Sequence, residues 1–337
     1  MQSARTVTLI RGDGIGPEIV SATLRAIEAT GAPIVWDEQP AGARGAQEHG
    51  EPLPACTLES IRSHGVCLKG PLATPIGEGY RSVNVAIRTE LDLYANVRPA
   101  LLLPGVDGPF RNVDLVIVRE NTEGLYSGLE AWIDRDHSIA ESRAIITRRG
   151  SERIIRRAFE VARERPRRRL HLIHKANILK ATSGLFLQVG RELAAEYPDV
   201  EFLEMIIDAC CMNLVRDPAR FDVLVTTNMF GDILSDLTAG LVGGLGVAAG
   251  ANLGERHAMF EAVHGTAPDI AGKGIANPLA LMLAGVMMLE HLSMKDEAAR
   301  LADAIHETLA AREIRTGDLG GTATTDQFTD EVIRRLP

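Results

Sequence analysis

Two aspartates four positions apart, Asp232 and Asp236, are the residues whose types and spacing most directly suggest chemistry in this chain. They belong to the segment G-D-I-L-S-D at residues 231–236, which we predict to start a helix. At about 3.6 residues per turn, both carboxylates would share one helix face and could reach one hard cation. The alternative is an ordinary helix start, with Asp232 near the N-cap and Asp236 in solvent.

A third carboxylate, Asp208, ends the apolar run at residues 205–208. Were it to join the same cation, the site would be rich in oxygen and open, which suits Mg²⁺ or Mn²⁺ better than Zn²⁺. The alternative is that Asp208 caps the helix that follows.

Arginines and short polar side chains form a second group of candidates. Ser82 and Asn84 can donate or accept hydrogen bonds, and Arg88, Arg98 and Arg119 can each grip a carboxylate with two parallel bonds. This combination predicts a polycarboxylate substrate. The alternative is that the arginines pair with the acidic groups of the chain itself.

Tyr126 and Lys175 are the acid–base candidates. Tyr126 lies in a glycine-flanked loop. Lys175 ends an apolar run at residues 170–174, so its ammonium would project from the edge of the sheet. Nearby carboxylates, arginines and a metal would shift the pKa of Lys175 in competing directions. The alternative for each is a surface or packing role.

Two glycine-containing segments could approach a cofactor. G-D-G-I-G-P-E, at residues 12–18, has Pro17 where a Rossmann fingerprint has its third glycine, so that interpretation is weak. H-G-T-A-P-D-I-A-G, at residues 264–272, contains small residues that allow close backbone approach. Its Asp269 could accept hydrogen bonds from ribose hydroxyls and would repel a 2′-phosphate.

Short apolar runs alternate with longer helical patterns, which predicts an α/β fold with parallel crossovers. The residues before Asp232 read as a buried strand, and ligands bind beyond the carboxyl ends of such strands. A charged, weakly alternating stretch at residues 132–147 suggests a two-stranded arm. The predicted strands are residues 7–10, 113–118, 170–174, 202–207, 223–227 and 258–263, and the predicted helices are residues 17–30, 151–164, 182–197, 278–291 and 295–312.

Composition limits the class of protein. The chain has 337 residues and a net charge of −9, so we expect two domains or one large α/β unit and no general affinity for nucleic acid. The basic run at residues 163–169 is interpreted as a solvated connection. Four cysteines without metal spacing, no signal segment and no bilayer-length apolar run predict a cytoplasmic protein that is not associated with a membrane.

The order of these motifs resembles one family over nearly the whole chain: the metal-dependent β-decarboxylating dehydrogenases of isocitrate and 3-isopropylmalate. The matching motifs are those named above, together with R-S-x-N-V-A-x-R at residues 81–88, R-E-N-T-E-G-x-Y at 119–126 and H-K-A-N at 174–177. Several motifs in this order are far more specific than any one of them.

The resemblance implies an isocitrate/isopropylmalate dehydrogenase-like α/β fold that is not Rossmann. Residues 1–98 and 252–337 would form a large domain, and residues 99–251 a small domain with a clasp-like dimerisation arm at about 130–148. It implies a homodimer, or a higher even homo-oligomer, with active sites shared between subunits.

The resemblance also implies roles for the candidate residues. Asp232 and Asp236 would bind Mg²⁺ or Mn²⁺ together with Asp208 of the partner subunit. Tyr126 and the partner's Lys175 would be acid and base. Ser82, Asn84, Arg88, Arg98 and Arg119 would bind substrate, and NAD would contact Leu72, Thr74, His264, Gly265, Ala267, Asp269, Ile270 and Asn277.

Substrate and cofactor choices follow from departures within the family. Relatives acting on isopropylmalate resemble one another in having leucines before the first substrate arginine, whereas this chain has Ser82 and Asn84, as isocitrate enzymes do. Homoisocitrate is the next candidate, then 3-isopropylmalate. Asp269-Ile270 replaces the Lys-Tyr of relatives that use NADP, which implies NAD. Glu78 and the short segment at residues 104–113 have no assigned role.

A rival from another class is a non-catalytic regulatory subunit of a heteromeric enzyme. Such a chain would be expected to lose the tyrosine or some aspartates, and this chain retains all of them. The resemblance therefore favours NAD-dependent oxidative decarboxylation of isocitrate to 2-oxoglutarate and CO₂, a reaction of the tricarboxylic acid cycle.

Overall fold

A long mixed sheet organises the chain in the computed structural model, which describes residues 4–74 and 82–337. The strands are β1 Arg5–Ile10, β2 Ile34–Glu38, β3 Val66–Lys69, β4 Ala95–Leu101, β5 Asp114–Glu120, β6 Glu130–Trp132, β7 Ala140–Ser142, β8 Arg169–His174, β9 Glu201–Ile206, β10 Val223–Thr226, β11 Ala249–Leu253 and β12 Ala258–Ala262. The helices are α1 Gly16–Ala29, α2 Ala43–His49, α3 Ala55–His64, α4 Val83–Glu90, α5 Arg148–Glu164, α6 Thr182–Ala194, α7 Ile207–Arg216, α8 Asn228–Leu241, α9 Leu279–His291, α10 Lys295–Ala311 and α11 Thr325–Arg334.

The sheet has ten strands in the order β2-β1-β3-β12-β11-β4-β5-β10-β8-β9. Pairing is parallel from β2 to β12 and again from β5 to β9. The central strands β11 and β4 are antiparallel to each other and to their outer neighbours. Two parallel halves therefore meet at an antiparallel seam, formed by β4 and β11, and the α/β fold class is confirmed.

Most predicted elements are present with small shifts of their ends. Every predicted strand and helix has a counterpart, and the predicted arm is the antiparallel pair β6–β7. The prediction was wrong about the start of α8, which begins at Asn228 after the N-cap Thr227. Asp232 is therefore inside the helix and is no N-cap residue.

Sequence reasoning missed the short or interrupted elements, among them β3 and β4. β4 contains Arg98 and Pro99, and proline normally argues against a strand inside a sheet. β11 pairs only with residues 95–97 of β4, so at Pro99 the strand is bordered by β5 alone, as an edge strand would be.

The core lies on both faces of the sheet. The largest cluster combines α1, α9 and α10 with strands of both halves; α9 is buried almost all round because it is the central helix of that layer. A second cluster packs α5 and α6 against β5, β8 and β10. Within the described residues, no helix is long and apolar enough to cross a membrane.

The predicted domain boundaries both fall inside the seam. The division after residue 98 lies within β4 and the division before residue 252 lies within β11. These two strands pair directly, and the sheet continues through them. The two-domain division stays a prediction.

The basic connection between α5 and β8 is not simply solvated, as the sequence interpretation had it. Arg165 donates through Nε to Asp222 Oδ1 at 2.5 Å and through Nη2 to Asp114 Oδ1 at 2.7 Å. Asp222 is fully buried and also accepts from the backbone of Arg169 at 3.2 Å. The run thus supplies the cation that a buried carboxylate requires.

Replacing the buried carboxylate should destabilise the protein more than replacing an exposed one. We expect Asp222→Asn to lower the free energy of unfolding by about 3 kcal/mol, because it leaves buried donors of Arg165 poorly paired. Asp199→Asn, which removes the exposed partner of Arg163 from the same connection, is the matched control and should change it much less. Chemical denaturation of both variants tests this, and equal losses would contradict it.

Candidate active site

Three arginine side chains converge beside the seam. Arg88 comes from α4, Arg98 from β4 and Arg119 from β5, and all three are buried. Burial lowers the pKa of Arg98 to about 10, with further lowering by the positive charges of Arg119 and Arg88. Arg119 shows the same direction, again because of burial first. Such a group of cations is suited to an anionic ligand.

Helix α8 presents Asp232 and Asp236 to these arginines. Asp232 accepts a hydrogen bond from Arg119 and lies 3.6 Å from Arg98, whereas Asp236 lies 3.8 Å from Arg98. Burial favours a higher pKa for Asp232, but the charges of Arg119 and Arg98 and a hydrogen bond from Tyr126 hold the pKa below its usual range. The pKa of Asp236 is raised, mainly by burial.

Tyr126 completes this cluster. Its hydroxyl donates to Asp232, and the guanidinium carbon of Arg119 lies 5.1 Å from its ring centre. Burial and the neighbouring carboxylate raise the pKa of Tyr126, so the phenol keeps its proton near neutral pH. With 37% of its surface exposed, it is a proton donor accessible to a ligand.

Gly231 allows Arg119 to lie against α8. A Cβ atom at position 231 would be only 2.5 Å from the side chain of Arg119. Arg119 also donates to Asn228 Oδ1 in the first turn of the helix, from Nε at 3.1 Å and from a terminal nitrogen at 2.7 Å. The G-D-I-L-S-D segment therefore sets the position of Arg119 through Gly231, and it also carries the two carboxylates.

Lys175 and Asp208 form a separate pair. Lys175 donates to Asp208, and this contact holds the pKa of the carboxyl below its usual range. Asp208 is in the first turn of α7, whose N-cap is Ile206, so the capping alternative is wrong. Within the described parts of the chain, neither Lys175 nor Asp208 forms a hydrogen bond with Asp232 or Tyr126.

The α8 carboxylates fit part of a divalent-cation site. They supply hard oxygen donors one turn apart, and each is partly exposed. In residues 4–74 and 82–337, no group of three or more His, Cys, Asp or Glu side chains could hold a metal ion. Among the described residues, the α8 pair is therefore at most part of a ligand set.

A largely apolar cavity of about 540 Å³ lies beside the 264–272 segment. Its lining includes five of the predicted cofactor residues: His264, Gly265, Ala267, Ile270 and Asn277. Burial lowers the pKa of His264, so its imidazole is neutral at pH 7. Asp318 also lines the cavity and accepts from Asn277 at 2.9 Å; sequence reasoning missed it because no motif singled it out.

The other predicted cofactor residues lie outside this cavity lining. Leu72 is buried in a core cluster beside Ile10, and Asp269 is exposed. Thr74 is exposed and donates to Ser82 Oγ at 3.2 Å, which joins a predicted cofactor residue to a predicted substrate residue. Asn84 has a buried Oδ1 that finds no hydrogen-bond partner among residues 4–74 and 82–337. Residues 1–3 and 75–81, including Glu78, are outside the described residues.

The 12–18 segment holds two loops together. Asp13 accepts from the backbone of Ala43 at 2.9 Å and of Ala73 at 2.8 Å. Gly14 has a positive φ, and a Cβ there would be 2.1 Å from the carbonyl oxygen of Thr266. The glycines thus permit close packing of this turn on the 264–272 segment, and only Ile15 lines the cavity among residues 12–16.

A family model described as isocitrate/isopropylmalate dehydrogenase matches residues 6–332. The chain belongs to this family. Isocitrate dehydrogenase [NAD] catalytic subunit 5, mitochondrial, of Arabidopsis thaliana is 51% identical, with 98% of this chain and 88% of the relative covered. The human isocitrate dehydrogenase [NAD] subunit alpha, mitochondrial, is 48% identical, with 98% and 90% covered.

The fold agrees with that of the family in solved structures. The crystal structure of isocitrate dehydrogenase from Methylococcus capsulatus superimposes with a TM-score of 0.96 at 56% identity, covering 98% of this chain and 99% of that one. The predicted isocitrate/isopropylmalate dehydrogenase-like fold is confirmed.

A matched pair of glycine variants tests the role of Gly231. Gly231→Ala should displace Arg119 and lower substrate turnover roughly ten- to a hundredfold. Gly240→Ala in the same helix, where nothing lies within 4 Å of the new Cβ, should keep turnover and gain up to about 1 kcal/mol of stability. Steady-state rates and melting curves distinguish them. Unchanged turnover in Gly231→Ala would contradict the assignment.

Proposed function

We propose that this protein is an NAD-dependent isocitrate dehydrogenase that converts isocitrate to 2-oxoglutarate and CO₂ with Mg²⁺ or Mn²⁺. The observation that supports this most is the pairing of buried Arg98 and Arg119 with the carboxylates of α8. Buried Arg88, which pairs with Glu261, is near enough for its charge to act on Asp232. Three arginines match a tricarboxylate, and the two aspartates match a hard cation. The relatives named as NAD-dependent isocitrate dehydrogenases agree with this substrate and cofactor.

The arginines bind and orient the substrate in this proposal, and Ser82 and Asn84 complete its binding. Asp232 and Asp236 hold the cation together with Asp208 of the partner subunit. A cation held by these aspartates would supply Lewis-acid chemistry at the substrate hydroxyl and its adjacent carboxylate, and NAD⁺ would supply the hydride acceptor.

Two residues move protons in the proposed reaction. Lys175 of the partner subunit takes the proton of the substrate hydroxyl, directly or through water. Tyr126 protonates the carbon that loses CO₂; its raised pKa keeps the phenol protonated, and Asp232 and Arg119 fix its position.

We further propose a homodimer, or a higher even homo-oligomer, in which each site draws on both subunits. Among the described residues of one chain, the Lys175–Asp208 pair makes no hydrogen bond to the Asp232 cluster, and no group of three or more side chains could hold a metal ion; both observations support it. An exposed apolar strip on α7 and α8, which includes Met212, Val215 and Ile233, supports burial against another subunit. The relatives are named as subunits, so a mixed assembly is the alternative.

The cytoplasmic location stays a prediction, because the relatives from Arabidopsis thaliana and humans are named mitochondrial. The dimerisation role of the arm also stays a prediction. Exposed Trp132, Ile133 and Ile139 at its tip support it.

Reduction of nicotinamide tests the function. Purified protein with NAD⁺ and Mg²⁺ should reduce NAD⁺ faster with isocitrate than with homoisocitrate or 3-isopropylmalate, and chelator should abolish the reaction. NADP⁺ should be a poor substitute, since the Asp269 carboxylate would repel its 2′-phosphate. Faster reduction with homoisocitrate would reassign the substrate. No reduction with any acid would favour a regulatory subunit.

Complementation tests the shared site. Tyr126→Phe should slow turnover far more than it weakens substrate binding, and Lys175→Met should also be inactive. Mixing the two after joint refolding should restore about one quarter of wild-type activity, because half of the dimers are mixed and each mixed dimer has one intact site. Each variant refolded alone is the control. A mixture that stays inactive would place both groups on one subunit.

A further inference from the structure

An amide chain buried in the seam links two of the proposed substrate arginines. Arg98 donates through Nε to Asn96 Oδ1 at 2.6 Å, and Asn96 Nδ2 donates to Asn252 Oδ1 at 2.6 Å. Asn252 Nδ2 in turn donates to Glu261 Oε1 at 2.8 Å, and the same oxygen accepts from Arg88 at 2.8 Å. Asn96 and Asn252 are both fully buried.

The direction of this chain is fixed at both ends. Arg98 can only donate and an ionised Glu261 can only accept, so each asparagine must turn its oxygen towards Arg98 and its nitrogen towards Glu261. The pKa of Glu261 lies far below its usual range because Lys69 and Arg88 outweigh the effect of burial. Glu261 is therefore an ionised carboxylate at neutral pH in the wild-type protein.

Asn252 uses all of its hydrogen-bonding capacity. Its oxygen accepts a second hydrogen bond, from Asn121 Nδ2 at 3.0 Å. Its nitrogen donates a second hydrogen bond, to the carbonyl oxygen of Met259 at 3.4 Å. A fully satisfied buried polar group has one preferred orientation, because any rotation leaves a partner unpaired. Asn252 is consequently a rigid link between β4 and β12, the strands next to its own.

Resting on the proposed substrate-binding role of Arg88 and Arg98, we propose that Asn252 is a positioning residue that fixes the spacing of these two arginines. In the described part of the chain, none of its side-chain hydrogen bonds reaches a cavity-lining residue or an α8 carboxylate. It acts through Asn96 on one arginine and through Glu261 on the other. The ligand class concerned is a polycarboxylate that must bridge both guanidinium groups.

Asn252→Asp is the sharpest test. The substitution keeps the shape of the side chain and the oxygen that faces Asn96. It replaces the amide nitrogen that donates to Glu261 with a carboxylate oxygen, so that two carboxylates face each other. Two carboxylates at this distance share a proton, so the link is restored at low pH and broken at high pH. The charged groups around position 252 are Glu261 on β12, Lys69 at the end of β3, Arg88 on α4 and Arg98 on β4.

We expect the KM for isocitrate of Asn252→Asp, relative to wild type, to rise roughly tenfold or more between pH 6 and pH 9. The kcat and the KM for NAD⁺ should change less than about threefold, since the reacting groups are untouched. If Asn252 had a merely structural role, the ratio of the variant KM to the wild-type KM for isocitrate would not depend on pH. Asn252→Ser adds no charge and is too short to reach both Asn96 and Glu261, so it should raise the KM for isocitrate at every pH. This variant tests the proposal if Asn252→Asp does not fold.

Asn121→Asp is the matched control. It introduces the same charge into the same buried network, beside Asn252 and the carbonyl of Leu93, but it leaves the bonds of Asn252 to Asn96 and Glu261 in place. It should lower thermal stability but leave the KM ratio flat. A similar pH-dependent rise in this control would overturn the positioning role.

Arg98→Gln separates this inference from the proposed function. A large rise in the KM for isocitrate in Arg98→Gln, together with wild-type values in both Asn252 variants, would refute the role of Asn252 and leave the function standing. If Arg98→Gln itself binds isocitrate normally, the proposed substrate site is wrong and the role of Asn252 falls with it.

Discussion

Keeping several arginines charged and close together inside a sheet is the constraint on which this site depends. Burial opposes the charge of Arg98 and Arg119, and each is disfavoured further by its cationic neighbours. The fold compensates with anions and oriented amides, chiefly Asp232 and Glu261. Without these partners, each guanidinium would be an unpaired buried charge, which is strongly destabilising. The site is thus a balanced electrostatic cluster whose members depend on one another.

The antiparallel seam makes that balance possible. In a wholly parallel sheet, the carboxyl ends of all strands would lie at one edge, and central strands would be nearly continuous apolar runs. Here β4 and β11 reverse direction between two parallel halves. Their polar residues, among them Asn96, Arg98 and Asn252, are buried inside the sheet layer yet adjacent to both halves. Local polarity in the centre of the sheet is therefore a consequence of topology.

The candidate site residues could be selected from the sequence, although their roles stay predictions, whereas most of the residues that pair with them could not be selected. Asp232, Tyr126 and the arginines stand in distinctive motifs at the ends of apolar runs, so residue type and order sufficed. Glu261 and Lys69 lie within short buried strands, where a charge looks like an exception to an apolar pattern. Their partners come from positions up to about 190 residues away in the chain, a pairing that depends on strand order. Strand order was not derivable from periodicity.

If Asp232 binds a cation as proposed, it must exchange its present hydrogen-bond partners. Its carboxylate accepts from Arg119 and Tyr126 and lies near Arg98. A cation bound there would compete with these contacts, releasing donor capacity of Arg119 and Tyr126 towards the substrate. Because Asp232 is partly exposed, this exchange costs less than it would for Glu261, which is enclosed by Lys69, Arg88 and Asn252. The exposed carboxylate is suited to ligand exchange, and the enclosed one to holding the arginines in place.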